Sequence, residues 1–277
     1  MRTLISAAFL PALILFTGVN YAPAQAALAS TETTVKSAAK IDRPFAVGEV
    51  LTYEAKVNKI LRGIGVADLT FSITDPPGAD SMLITADARS KGTLLKLFRY
   101  SFIQKYDTLV DPTQFRALKT HRHDEQKDRV RDGEALFDYG ERRVTYTEVD
   151  PREPTRPPRR IASQIENKTQ DLVSGVYALR LLPLAVGKTF SLTVSDSGLV
   201  YEIPVRVTAR EPQNTVIGKV FCFKVEPQVF GQGRLIEKEG NMTIWITDDD
   251  KRIPVRSQIN SSVGKIEIRL RSATGSK

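Results

Sequence analysis

The sequence predicts an all-β fold: one strongly bent antiparallel sheet, or an open or partly closed β-barrel, with a single helix near residues 171–182. Three observations lead there. Apolar and polar residues alternate with period two along most of the chain, as in strands that cover a core with one face. Short clusters of Asp, Gly, Pro and Ser separate these runs, as hairpin connections do. Only one later segment carries a capped apolar stripe at helical spacing.

The first element is a leader. Arg2 precedes an uncharged apolar run over residues 4–19, broken by Pro11 and by Thr17-Gly18, and Ala24-Gln25-Ala26 supplies small residues at cleavage spacing. A membrane span needs about 20 continuous apolar residues; this run is shorter and lacks a basic stop-transfer flank. Residues 1–26 are therefore predicted to be a cleavable signal peptide, cut at Ala26/Ala27 or secondarily at Ala29/Ser30. The sole cysteine, Cys222, lies too far along the chain to accept a lipid anchor. These features place the mature chain in the periplasm or outside the cell, with no transmembrane segment. Residues 27–43 are small and polar and read as a flexible tether, 44–272 as a single β-rich domain, and 273–277 as a tail.

Within the domain, Leu51, Tyr53, Ala55 and Val57 alternate with polar neighbours, and Ala67, Leu69, Phe71 and Ile73 do the same. A short helical turn is predicted over 92–97, followed by an alternating set at Phe98, Tyr100 and Phe102. Phe190, Leu192 and Val194 mark another strand, and Tyr201, Ile203, Val205 and Val207 the next. Ile253, Val255 and Ile259 share one face, as do Ile266, Ile268 and Leu270. Turns are predicted at 75–78, 131–133, 195–198 and 248–251, and a proline-rich loop at 150–160. The helix follows from Asp171 as cap and from Leu172, Val176 and Leu179 as stripe, with Val173 and Tyr177 beside them and Pro183 as stop. Gly175 is unexpected there, and suggests close packing. With one cysteine no internal disulfide can form, so stability rests on the hydrophobic core.

Several stretches resemble the DUF3108 domain family of exported bacterial proteins. They are 44–53 (Pro-Phe-Ala-Val-Gly-Glu-Val-Leu-Thr-Tyr), 171–184 (Asp-Leu-Val-Ser-Gly-Val-Tyr-Ala-Leu-Arg-Leu-Leu-Pro-Leu) and 218–225 (Gly-Lys-Val-Phe-Cys-Phe-Lys-Val). The most distinctive is 244–255 (Ile-Trp-Ile-Thr-Asp-Asp-Asp-Lys-Arg-Ile-Pro-Val). The resemblance spans residues 44–272. It implies an exported β-rich domain and no particular reaction.

Candidate chemistry is sparse. His121 and His123 are the only histidines and share one side of a strand, but no third ligand is evident. The charged run around them reads as a solvated hairpin arm. Cys222, between Phe221 and Phe223, lacks the cation or helix start that activates a thiol and reads as a small hydrophobe. Asp248, Asp249 and Asp250 have calcium-type oxygens, but aspartate is favoured in turns in any case. Ser174, Tyr177 and Arg180 recur every three residues and read as anchors of the helix to the sheet. No phosphate-cradling loop, cofactor motif or metal motif is present, so no cofactor and no metal is expected.

The 40 basic against 32 acidic residues give a net charge of +8, spread along the chain. This suits an anionic envelope surface more than nucleic acid. The leading expectation is a non-catalytic binding or carrier module for a lipid or other apolar or amphipathic envelope molecule. Its expected ligand-binding residues are Leu172, Val176, Tyr177, Leu179 and Arg180 on the helix, with Trp245. The alternatives are a structural or assembly protein contacting protein or glycan partners, and an enzyme of unidentified class.

Overall fold

The structure is a computed structural model that describes residues 43–58, 64–78, 80–261 and 264–275. The predicted signal peptide and its cleavage bonds, and the tether through residue 42, lie outside the described residues. Among the described residues there are fifteen strands: β1 (Val50–Asn58), β2 (Ile64–Thr74), β3 (Met82–Ser90), β4 (Phe102–Asp111), β5 (Arg116–Gln126), β6 (Arg129–Asp138), β7 (Arg143–Val149), β8 (Arg159–Gln164), β9 (Gln170–Asp171), β10 (Thr189–Asp196), β11 (Leu199–Thr215), β12 (Gly218–Pro227), β13 (Gly240–Thr247), β14 (Pro254–Ser261) and β15 (Gly264–Thr274). Two helices accompany them, α1 (Gly92–Phe98) and α2 (Leu172–Leu181).

All strands belong to one sheet, in the order β8-β7-β6-β5-β4-β3-β2-β1-β15-β14-β13-β12-β11-β10-β9. Successive hairpins make every pairing antiparallel except the two-residue parallel pair of β9 with β10. β1 thus sits mid-sheet between β2 and β15, and the outer strands β8 and β9 are joined by residues 165–169. The sheet coils without closing into a barrel. Its β9 end meets β5, where the Ala117 amide donates to the Thr169 carbonyl at 3.1 Å. The Tyr139 hydroxyl lies between the carbonyl oxygens of those same two residues, at 2.8 and 3.0 Å, and the Gln170 side-chain amide donates to the Phe115 carbonyl at 2.7 Å.

The predicted bent sheet with one capped helix is present, with more strands than the alternating runs marked. Two predicted boundaries shift. The alternating set at 98–102 is not one strand: α1 runs through Phe98, Arg99 takes a positive φ of 53°, and β4 begins at Phe102. The expected turn at 131–133 lies inside β6; the hairpin instead turns at Lys127-Asp128, with Lys127 at φ 52°. Gly133 has a different task. A Cβ there would come within 2.3 Å of the Tyr146 hydroxyl, so its lack of a side chain lets the Tyr146 ring lie across β6.

The core is continuous with the concave face. One cluster gathers Leu172, Val173, Tyr177, Ala178 and Leu179 of α2 against Phe45, Ile84, Val205, Val225 and Ile246. A second follows β1, β2, β14 and β15. Because the sheet wraps around it, α2 is buried on nearly all sides, Gly175 included, and Val176 is only half-buried. The sequence shows a one-sided stripe; curvature of the sheet covers the other sides as well.

Candidate functional site

The site is built around α2, which is fastened at both ends. At its N-terminus Asp171 forms a capping box with Ser174: its Oδ1 accepts from the Ser174 amide at 2.7 Å, and its own amide donates to the Ser174 hydroxyl at 3.0 Å. The second carboxylate oxygen accepts from the Thr108 and Thr120 hydroxyls, at 2.5 and 3.1 Å, which ties the cap to β4 and β5. At the other end Arg180 donates to both oxygens of Glu49, at 2.5 and 2.8 Å, and to the Pro44 and Lys251 carbonyls at 3.2 and 2.8 Å. The guanidinium also lies over the rings of Phe45 and Tyr177, at 4.9 and 5.2 Å. Of the expected anchors, Arg180 fastens the helix to distant parts of the chain, whereas Ser174 bonds only to Asp171 in the cap, and Asp171 makes the tie to the sheet.

Between these fastenings the helix spans a cavity of about 110 Å³ on the concave face. Val173, Val176, Tyr177 and Arg180 line it from α2, and Tyr53, Phe71, Tyr106, Met242, Ile244 and Ile268 from the sheet. Its origin is a matter of register. Ala86 lies opposite both Phe71 and Tyr106, and Ser257 opposite both Ile244 and Ile268. Ala86 and Ser257 are too short to fill the space beneath the helix that their larger neighbours surround. Phe71, Ala86, Val176, Met242 and Ile268 are accordingly half-buried, whereas Leu69, Ile73, Ile84, Ala88, Ile266 and Leu270, two residues away from Phe71, Ala86 and Ile268 on their strands, are buried. Solvent reaches this apolar concavity.

The expected ligand-binding residues divide. Val176, Tyr177 and Arg180 line the cavity, whereas Leu172 and Leu179 pack into the core beside it. Trp245 lies elsewhere, because alternation along β13 turns it away from Ile244 and Ile246. It borders a separate polar groove of about 470 Å³ with Lys224, Asn241, Arg256, Gln258 and Asn260. Its indole donates to Glu211 at 2.6 Å, Arg256 lies 4.4 Å from its ring centroid, and it is 5% exposed. Sequence reasoning missed Phe71, Met242, Ile268, Gln104 and Ser257 as cavity lining. Alternation placed Phe71 and Ile268 on a covered face but could not say which covered positions face the space under α2.

A polar cluster lies beside the cavity. Arg122 pairs with Asp124 at 3.2 Å, donates to Ser197 at 3.0 Å and approaches Asp196 at 3.9 Å. Burial works against the charged form of Asp124. Arg122, hydrogen bonds from Gln104 and Gln126, and Arg129 outweigh it and hold the carboxyl below its usual range. For Asp196 burial wins and the carboxyl titrates higher than usual, with Arg122 and Ser197 opposing. Burial likewise raises the Tyr177 hydroxyl well above its ordinary value, with the Glu49 carboxylate adding to it. Arg122 is thus shared by Asp124, Ser197 and Asp196, while the Tyr177 hydroxyl has no hydrogen-bond partner in the protein.

The remaining candidates are local. His123 Nδ1 sits 2.6 Å from Asp132, and His121 is exposed. Asp249 caps its own turn, accepting from Thr247, Lys251 and Arg252, while Asp248 pairs with Arg210. The Cys222 thiol is fully buried; burial, with nearby Asp249, Glu211 and Asp248, pushes it up to about 12. Among the described residues no group of three or more His, Cys, Asp and Glu is placed to hold a metal ion, and no helix is long and apolar enough to cross a membrane.

No curated protein matches the chain. Among solved structures it is similar to a β-barrel-like protein of the domain of unknown function DUF1849 from Brucella abortus, at 10% identity and TM-score 0.55, covering 83% of this chain and 98% of that one. That likeness shows the fold alone. Two looser likenesses are a protein with a YmcC-like fold from Bacteroides fragilis (11% identity, TM-score 0.32, 85% and 100% covered) and a DUF1089 family protein from Pseudomonas aeruginosa (10%, 0.36, 72% and 92%). The family described as "Protein of unknown function (DUF3108)" matches residues 52–271, nearly the whole sheet from β1 to β15, and the chain belongs to that family.

Proposed function

We propose that the chain is a non-catalytic binding or carrier module, exported to the periplasm, that holds an apolar or amphipathic envelope molecule under α2. One observation carries this reading: the solvent-reached apolar concavity where Phe71, Val176, Met242 and Ile268 stay half-buried in an otherwise enclosed core. Its size is of the order of the roughly 150 Å³ apolar cavity that takes up benzene, so it receives a chain segment or small ring rather than a whole lipid. The site is preformed, since α2 is fixed at both ends, and a preformed pocket saves ordering cost on binding. The basic excess of the sequence would favour approach to an anionic envelope surface.

Mass spectrometry of small molecules that co-purify with the protein from its native periplasm tests the reading. The expected result is an enriched apolar or amphipathic species, lost in a Val176→Trp variant that fills the cavity. Recovery of the same small molecules from wild type and variant would overturn it.

An assembly role is favoured by a different feature. The tip of the β11–β12 hairpin exposes Val216 and Ile217, with Phe221 close behind at 51% exposed. Such a patch suits a protein partner. Blunting it with Val216→Ser and Phe221→Ser should leave small-molecule recovery unchanged, so the two readings separate.

A further inference from the structure

We infer that the cavity under α2 selects an uncharged amphiphile whose polar end is a hydroxyl-type hydrogen-bonding group, and discriminates against carboxylate and phosphate ends. The inference rests on the carrier reading and adds the ligand's chemical class. The lining holds two charged side chains, and each is already neutralised. Arg180 looks like a receptor for an anion, but Glu49 already matches its charge, and its two terminal nitrogens are taken by both Glu49 oxygens and by two backbone carbonyls, which leaves only its buried Nε unpartnered. Asp87 is paired with Arg89 at 2.8 Å, and its own charge would repel an anion. A buried ionised end would therefore enter without a counter-charge, which is costly.

What the lining does offer is neutral and unpartnered. Gln104 Oε1, Tyr106 Oη, Tyr177 Oη and Ser257 Oγ are buried without a hydrogen-bond partner in the protein. Gln104 is 3% exposed, and its amide nitrogen donates to Asp124 at 2.9 Å, which turns the carbonyl oxygen into the free end. Gln104 and Tyr106 stand two residues apart on β4, and Ser257 comes from β14 on the other wall. A carbonyl oxygen can only accept, whereas a hydroxyl both donates and accepts. A ligand hydroxyl can thus donate to Gln104 and still keep a lone pair to accept from a hydroxyl of the lining. A carboxylate cannot donate, so it leaves Gln104 unsatisfied.

Methyl NMR titration of the purified chain at pH 8 with hexane, 1-octanol and octanoate tests this. The expected result is that hexane and 1-octanol shift the Val176, Met242 and Ile268 methyls, with octanoate at least tenfold weaker than 1-octanol. Gln104→Leu should weaken 1-octanol about tenfold and leave hexane unchanged. Ser257→Ala, which removes a hydroxyl bonded to nothing else, gives a second reading if Gln104→Leu disturbs Asp124 and the fold. Octanoate binding as tightly as 1-octanol, or neither variant altering 1-octanol, would overturn the selectivity while hexane binding upheld the carrier reading. No methyl shift with any of the three probes would overturn both.

Discussion

Glu49, just before the first strand, and Arg180, at the end of α2, form a two-point ion pair at 2.5 and 2.8 Å with side chains 0% and 1% exposed. The pair joins positions 131 residues apart and closes the concave face over the helix. Breaking a buried pair leaves one charge uncompensated, typically at a cost of about 3–5 kcal/mol, whereas replacing both partners by apolar residues is often close to neutral. Glu49→Gln and Arg180→Met should each lower the urea midpoint strongly. The double change Glu49→Leu with Arg180→Met should recover much of the loss. A double variant as unstable as the worse single one would mean that Arg180's bonds to the Pro44 and Lys251 carbonyls dominate.

Leu179 and Val176 lie on one helix but have different surroundings. Leu179 is 5% exposed in the core, so Leu179→Ala should cost about 2–5 kcal/mol. Val176 is half-buried at the cavity, and Val176→Ala should cost under about 1 kcal/mol while changing apolar-probe affinity. Urea midpoints with and without probe separate the two, and a Leu179→Ala effect as small as that of Val176→Ala would show α2 to be a loose lid rather than a fixed plug.

Two glycines should respond in opposite directions. A Cβ at Gly175 would meet Val194 Cγ2 at 3.6 Å, an ordinary contact, so close packing does not require glycine there. Gly175→Ala should stabilise the protein by up to about 1 kcal/mol through helix propensity. Gly198 has φ +82°, and a Cβ there would come within 2.7 Å of Tyr146 and 3.0 Å of Ile161, where the β10–β11 turn presses on β7 and β8. Gly198→Ala should lower the melting temperature by several degrees.

Acid should act through Asp124. Its folded pKa is lowered, so its contribution is present above the unfolded value near 3.9 and is lost as pH falls through the lower folded value. Asp124→Asn should therefore cost most at neutral pH, and the gap to wild type should narrow below pH 4. Asp196 has the opposite sign: its raised pKa penalises the ionised native state, and that penalty eases as pH falls. A constant gap between Asp124→Asn and wild type from pH 7 to pH 3 would refute the assignment.

The sequence by itself determined the fold class, the helix and its cap, because alternation, stripe and Asp171 are local signals that tertiary packing reinforced rather than overrode. It also carried enough of the family's residues to be recognised. It misplaced the turn at 131–133 because glycine after aspartate reads as a turn, while the reason for Gly133, the ring of Tyr146, comes from the neighbouring strand. Arg180 was legible as an anchor of the helix, but its partner was not. Only the tertiary structure decided the cavity. Ala86 and Ser257 are unremarkable residues in their own strands, and they make a site because register and curl bring them beneath one helix. Period-two patterns say which side of a strand is covered, and the space left under the cover depends on strands far apart in the chain.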